Sequence, residues 1–275
     1  MYKLITILFF YLFFSCQVSF GQKNENSKTN SSQNISNISK NEHLVMSVLW
    51  YQQSAEMKAC YYQAYNFAKL VLDKNIAESK SILKKAVVVD IDETILDNSP
   101  FEAKTIITGI GYSNSAWMQW SDKSMAKTLP GALDFLNYAK SKNVEVFYIS
   151  NRRINEIEST KKNLNALGFP YADNEHFLFK VKESSKKARR DSLSINYDIL
   201  LLVGDNLGDF SELFEDRSTN MGFDAVEKYK SDFGSKFIIL PNPIYGDWEN
   251  AIYDNNLKIS DKEKNIKRKS KLKSY

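Results

Sequence analysis

Val87-Val88-Val89 is an apolar, β-branched run that ends abruptly in Asp90-Ile91-Asp92-Glu93-Thr94. The run reads as a buried central strand. Two carboxylates one residue apart at its end serve no packing purpose, and open α/β sheets bind ligands outside the carboxyl ends of their strands. Carboxylates at i and i+2 of an extended chain point to the same side. One of such a pair can attack while the other moves a proton, and together they can hold a hard cation. An Asp-rich surface turn is the plainer alternative. Against it, the same kind of residue recurs in order downstream: Ser150 after the apolar run Val144–Ile149, Lys186 near a helix start, and Asp205 and Asp209 after the run Ile199–Val203.

Together these residues suit phosphoryl transfer, which needs an oxygen nucleophile, neutralisation of the equatorial oxygens and a proton relay. Asp90 is the candidate nucleophile, forming an aspartyl-phosphate. Asp92 is the candidate general acid, protonating the leaving alkoxide and then deprotonating water. Asp205, with Asp90 and the Asp92 carbonyl, would bind a divalent cation, and an all-oxygen donor set favours Mg²⁺. Ser150 and Lys186 would hold the phosphoryl oxygens. Asp209 is expected behind the metal site, orienting a water or Lys186.

The elements that must position these groups alternate in type. Helical periodicity from His43 to about Ala77 (Leu44, Val45, Val48, Leu49, Ala55, Ala59, Tyr62, Phe67, Ala68, Val71) predicts one long helix or two joined helices. Cys60 lies on or beside that apolar face and is expected to be a buried, inert thiol. Strands are expected at Ala86–Val89, Val144–Ile149, Phe177–Phe179, Ile199–Val203 and Lys236–Leu240. Helices are expected over Ala132–Lys142, after Arg153 to about Gly168, and from Ser184 to Ser194. Residues 99–130 read as a helical insert holding Trp117 and Trp120, both expected to pack the insert; Asp97 reads as a turn or cap residue. Strands alternating with helices imply a parallel α/β sheet.

Asp90-x-Asp92-x-Thr94, Ser150, Lys186 and Gly204-Asp205-x3-Asp209 resemble the four motifs of the haloacid dehalogenase superfamily. The longer strings Val88-Val89-Asp90-Ile-Asp92-Glu-Thr-Ile-Leu-Asp-Asn98 and Val203-Gly204-Asp205-Asn-Leu-Gly-Asp209-Phe210 resemble the signatures of class C bacterial acid phosphatases. So do Trp50–Glu56, Pro130-Gly131-Ala132, Phe147–Arg152, Ser185-Lys186-x-x-Arg189 and Pro241-Asn242-Pro243-x-Tyr245-Gly246-x-Trp248-Glu249. Phe101 stands where the first signature usually has Tyr, and Gly208 where an Asp is usual. The resemblance spans about residues 45–255. It implies a Rossmann-like parallel sheet core with a small, mostly helical cap. It also implies an exported, outer-membrane lipoprotein phosphatase with 5′-nucleotidase activity, using Mg²⁺ and acting on phosphomonoesters such as nucleoside 5′-monophosphates. The Ser-Lys-x-x-Arg context singles out Lys186 from Lys182 and Lys187. Thr94 falls beside the metal site, and Tyr112 and Tyr245 are the nearest matches to the aromatics that sandwich the substrate's ring.

The rest of the chain sets bounds. The formal charge of +4 hides an asymmetry: residues 256–275 hold eight basic residues against Asp261 and Glu263, a net +6, so residues 1–255 sum to −2. A nucleic-acid polymer is therefore not an expected partner, and the basic tail reads as a solvated segment. Lys3 and the apolar run Leu4–Phe14, too short for the ~20 residues a membrane span needs, read as a signal peptide over 1–21. Ser15-Cys16 resembles a lipobox, with Phe13 where Leu is usual, so Cys16 is the expected site of lipidation; cleavage after Gly21 is the alternative. Residues 22–42 are Asn/Ser/Lys-rich and read as a tether, leaving 43–255 as the phosphatase domain. Two cysteines exclude a Cys-rich zinc site or disulfide scaffold. Neither His43 nor His176 sits in an Arg-His-Gly context, and Asn66 occupies the position where a Cys-x5-Arg site at Cys60 would need arginine. The remaining rivals are a phosphomutase, dehalogenase or phosphotransferase on the same core, and a surface binding lipoprotein.

Overall fold

The computed structural model describes residues 41–275. Two N-terminal helices, α1 (Val45–Gln53) and α2 (Ala55–Glu78), precede strand β1 (Lys84–Val89). The insert follows: β2 (Leu96–Asp97), α3 (Ser99–Thr108), α4 (Asn114–Ser121) and β3 (Lys127–Thr128). The core resumes with α5 (Ala132–Ser141), β4 (Glu145–Arg153), α6 (Ile157–Leu167), β5 (Phe177–Lys180), α7 (Lys187–Ser194), β6 (Tyr197–Gly204), α8 (Phe223–Lys228) and β7 (Phe237–Ile239). Helices α9 (Asp247–Ile252) and α10 (Asp261–Ser270) end the chain.

The central sheet has the order β5-β4-β1-β6-β7, and every pairing in it is parallel. Strand β1 is the middle strand and is buried on both faces: Val87 and Val89 join one core cluster, Ala86 and Val88 the other. That is why its sequence shows an unbroken apolar run rather than alternation. The chain moves from β1 to β4 and β5 on one side and to β6 and β7 on the other. The reversal opens a crevice at the carboxyl ends of β1, β4 and β6, which puts Asp90, Ser150 and Asp205 at one edge.

Ser54 separates α1 from α2. Its backbone is extended (ψ 134°) and its Oγ accepts a hydrogen bond from Met57 N at 2.9 Å, an N-cap that starts a new helix. The buried face of α2 is Met57, Tyr61, Tyr65, Ala68, Val71 and Leu72. The sequence expectation is rotated from this: Tyr62 and Phe67 are 42% and 46% exposed. Cys60 is exposed as well, contrary to expectation. One residue is about 100° of helix, so a thiol adjacent to the buried Tyr61 turns outward.

The insert is mainly helical. It is closed at its base by β2 and β3, which pair antiparallel through Leu96–Thr128 and Asp97–Lys127. Asp97 Oδ1 accepts from Ser99 N at 2.9 Å, a side-chain turn that leads into α3. Part of the basic tail is ordered as α10, whose Arg268 donates to the Tyr253 hydroxyl at 2.7 Å. Among the described residues no helix is long and apolar enough to cross a membrane. The signal segment, Cys16 and residues 22–40 of the tether lie outside the described residues.

Candidate active site

Strand β1 delivers Asp90 to the sheet edge, where its amide donates to Val203 O of β6 at 3.0 Å. The Asp90 side chain is nearly enclosed, at 8% exposure. Lys186, at the start of α7, reaches its Oδ1 and also pairs with Asp209 Oδ1 at 2.6 Å. Asp205 follows β6 directly; its oxygens accept from Thr94 Oγ1 at 3.0 Å and Asn242 Nδ2 at 2.8 Å. Asp209 is turned back by a tight turn after Asn206, whose amide donates to Asp209 Oδ2 at 2.9 Å. Gly204 makes that return possible, because a Cβ there would overlap the Asp209 side chain.

One oxygen from each of Asp90, Asp205 and Asp209 lies within 4.8 Å of the others. Asp209, expected behind the metal site to orient a water or Lys186, holds the Lys186 ammonium and also brings an oxygen within reach of the other two carboxylates. Asp92 does not contribute its carboxylate there. Arg152 forks onto it, Nη2 to Oδ1 at 2.8 Å and Nε to Oδ2 at 3.2 Å, and Asn98 Nδ2 donates to Oδ1 at 2.8 Å. Ser150 is fully buried, and its Oγ accepts from Arg152 N at 3.1 Å.

The electrostatics follow from crowding carboxylates out of water. Burial, reinforced by Asp209 and Asp92 and opposed by Lys186, pushes the Asp90 carboxyl up to about 7. Burial and the neighbouring Asp209 and Asp90 raise Asp205 well above the usual carboxylate range. Burial works against a charged Lys186, but Asp209 and Asp90 outweigh it and hold its pKa above the ordinary lysine value. One lysine against three clustered carboxylates leaves negative charge uncompensated. Convergent carboxylate oxygens with that excess fit a hard divalent cation.

These groups line one cavity of about 1000 Å³, together with Arg152, Tyr112, Trp117 and Tyr245. Tyr112 is 63% exposed and meets Phe101 edge-on at 6.1 Å. Tyr245 is half-buried, and its hydroxyl donates to Glu93 Oε2. Trp117 does more than pack the insert: it lines the cavity, donates to Glu156 at 2.8 Å and lies 5.7 Å from the Arg152 guanidinium. Trp120 instead donates to Asn98 Oδ1 at 2.8 Å, extending the network behind Asp92.

Several site residues carry no readable signal in the sequence. Glu93 is fully buried with φ +53°, in the turn that follows the nucleophile strand. That turn is held by tyrosines of α1 and α2. Tyr61 donates to Glu93 O at 2.5 Å, Tyr65 donates to Thr94 O at 2.7 Å, and the Tyr51 and Tyr61 hydroxyls meet at 2.5 Å. Arg152 and Arg189 lie inside recognisable strings, yet only the fold shows Arg152 on Asp92 and Arg189 donating to Ser150 O at 2.6 Å.

Comparison with known proteins gives consistent matches. The sequence model of the family described as HAD superfamily, subfamily IIIB (acid phosphatase), matches residues 17–248. The class C acid phosphatase from Bacillus anthracis is 45% identical, with a TM-score of 0.82 over 86% of this chain and 100% of that one. A second structure of that enzyme, with tungstate bound, is 46% identical, with a TM-score of 0.81 over 86% of this chain and 98% of that one. A curated relative, the stem 31 kDa glycoprotein of Glycine max, is 25% identical over 164 residues, a match spanning 58% of this chain and 58% of that protein's length. With its parallel sheet, its helical cap and the acidic edge of β1 and β6, the chain belongs to the HAD superfamily, subfamily IIIB, and is an acid phosphatase, a phosphomonoesterase.

Proposed function

We propose that the protein is an Mg²⁺-dependent phosphatase that hydrolyses phosphomonoesters through an aspartyl-phosphate on Asp90, with nucleoside 5′-monophosphates as preferred substrates. The observation that carries this reading is the buried cluster of Asp90, Asp205 and Asp209 around Lys186 at the sheet edge. Lys186 takes Asp90 Oδ1, and among the described residues no hydrogen-bond donor meets Oδ2, so Oδ2 is the oxygen for attack on phosphorus. Ser150 and Lys186 hold the equatorial oxygens. Asp92 gives its proton to the leaving alkoxide and later takes one from the attacking water. Among the described residues its Oδ2 accepts one hydrogen bond, from Arg152 Nε, and is the freer oxygen for that transfer. Asp90, Asp205, Asp209 and the Asp92 carbonyl would hold the cation, with Thr94 fixing Asp205. When bound, Mg²⁺ would neutralise charge on the phosphoryl group.

Cavity size and lining support the nucleotide preference. About 1000 Å³ accommodates a nucleoside beyond the phosphate, and Tyr245 and Tyr112 offer rings for a planar base. The N-terminal sequence supports export and a lipid on Cys16. Phosphate release over a panel of 5′-nucleotides and simple esters, in chelator and then with Mg²⁺ restored, tests the chemistry. Full activity in excess chelator refutes the metal, and equal kcat/KM across the panel refutes the preference. Membrane partitioning of full-length protein, lost in Cys16→Ala, tests the anchor; a mature N-terminus at Gln22 excludes it.

A further inference from the structure

Three arginines close to the site are accounted for by protein acceptors. Arg152 forks onto Asp92. Arg189 donates to the carbonyls of Ser150 and Leu178. Arg190 donates to the carbonyls of Gly208 and Asp209 and pairs with Glu212.

Arg217 differs. It is 8% exposed, yet among the described residues its guanidinium makes one hydrogen bond, from Nη2 to Asn206 Oδ1 at 3.2 Å. Its Nε is buried with no hydrogen-bond partner. Among the described residues no carboxylate oxygen approaches it within 4.0 Å; Asp247 is the acid that bears on it, from further off. Burial pulls its pKa below the usual guanidinium value.

A buried cation without an ion-pair partner is costly to a fold. The backbone beside it is strained at Asn220 and Met221, which are left-handed at φ +46° and +55° ahead of Gly222. Gly222 sits against the Arg217 stem, where an added Cβ would meet Cγ at 3.3 Å. Bracing a neutral Asn206 amide does not require an unpaired charge. Arg217 lines the same cavity as Asp90 and Lys186, and the substrates of a phosphomonoesterase are anions.

We propose that Arg217 is an anion-binding residue of this cavity, whose guanidinium takes a phosphate oxygen of the bound substrate. This rests on the reading that ester hydrolysis takes place at Asp90. The oxygen belongs either to the phosphoryl group being transferred or to a second phosphate on the leaving group. A fixed, planar guanidinium suits either, because its fork matches two phosphate oxygens.

Arg217→Met keeps the bulk and removes the charge, and Arg217→Lys keeps the charge without the fork. The measurements are the inhibition constant of inorganic phosphate, kcat/KM for a small aliphatic monoester and for a bisphosphate, and Tm with and without phosphate. The expected result for Arg217→Met is a loss of about tenfold or more in binding or kcat/KM, with partial recovery in Arg217→Lys. Its Tm without phosphate should equal or exceed wild type, because an unpaired buried charge is gone. A loss shared by inorganic phosphate, the monoester and the bisphosphate places Arg217 on the transferred group, and phosphate should then raise the Tm of wild type more than that of Arg217→Met. A loss confined to the bisphosphate places it on the leaving group. Unchanged constants throughout, or losses that track a fall in Tm and that lysine does not reverse, overturn the inference. Turnover retained in Asp90→Asn would instead sink the reading of the cavity, whatever Arg217 does.

Discussion

Tyr245 has two separable contributions. Its ring lines the cavity, and its hydroxyl is, among the described residues, one of two donors to the buried Glu93 carboxyl, the other being Asn98 N at 2.8 Å. Tyr245→Phe keeps the ring and leaves Glu93 Oε2 without a donor. An unmade hydrogen bond at a buried group costs about 1–3 kcal/mol. For a domain of this size each kcal/mol lowers Tm by about 2–4 °C, so a fall of about 2–12 °C is expected. The preference for a nucleoside 5′-monophosphate over a small aliphatic phosphate should not change. Tyr245→Ala removes the ring as well. A base stack is worth about 1–3 kcal/mol, so the ratio of kcat/KM for the two substrates should fall by about 5- to 150-fold. Thermal unfolding and the two kcat/KM values, measured on wild type and both variants, separate the contributions. If Tyr245→Phe changes the ratio as much as Tyr245→Ala does, or if Tyr245→Ala leaves it unchanged, the stacking argument is wrong.

Three further outcomes follow from the same geometry. Tyr65→Phe deprives Thr94 O of its donor while keeping the ring against Phe135; it should cost about 1–3 kcal/mol in denaturant unfolding and lower kcat, because Thr94 holds Asp205, and an unchanged midpoint would refute the clasp. Burial and then Glu249 push the Glu102 carboxyl from 4.5 to about 7, so folding takes up a proton between those values. The contribution of Glu102 to stability is therefore greatest below pH 4.5 and falls, by as much as about 3 kcal/mol, as pH rises to about 7. Glu102→Gln should flatten that decline in Tm, and a parallel decline in both proteins would show that Glu102 is not its source. Asp92→Asn should slow esters of poor leaving groups more than activated aryl esters; equal losses on both would remove Asp92 from the proton relay.

The sheet was legible in the sequence because burial on both faces leaves an apolar, β-branched signature, as in Val87–Val89. The acidic edge was legible because Asp90, Asp205 and Asp209 end or follow such runs, where packing does not call for charge. The rest depends on partners distant in the chain. Tyr61 and Tyr65 can bury their rings in the core because carbonyls 32 and 29 residues away accept their hydroxyls; helical periodicity alone points to Tyr62 and Phe67. Strands β2 and β3 are two residues each, too short for alternation to show. Arg152 and Arg217 look like solvated charges until the fold buries them. That Asp209 folds back over Gly204 to meet both Lys186 and the other carboxylates depends on a turn that a spacing of four residues after Asp205 does not reveal.

The central claim is covalent chemistry at Asp90. Enzyme quenched in acid during steady turnover of a nucleoside 5′-monophosphate, then digested and read by peptide mass, tests it most directly. A phosphate adduct is expected on the peptide carrying Asp90 in wild type, with no adduct and no turnover in an Asp90→Asn variant of unchanged Tm. Turnover by folded Asp90→Asn, or an adduct on a different residue, would contradict it.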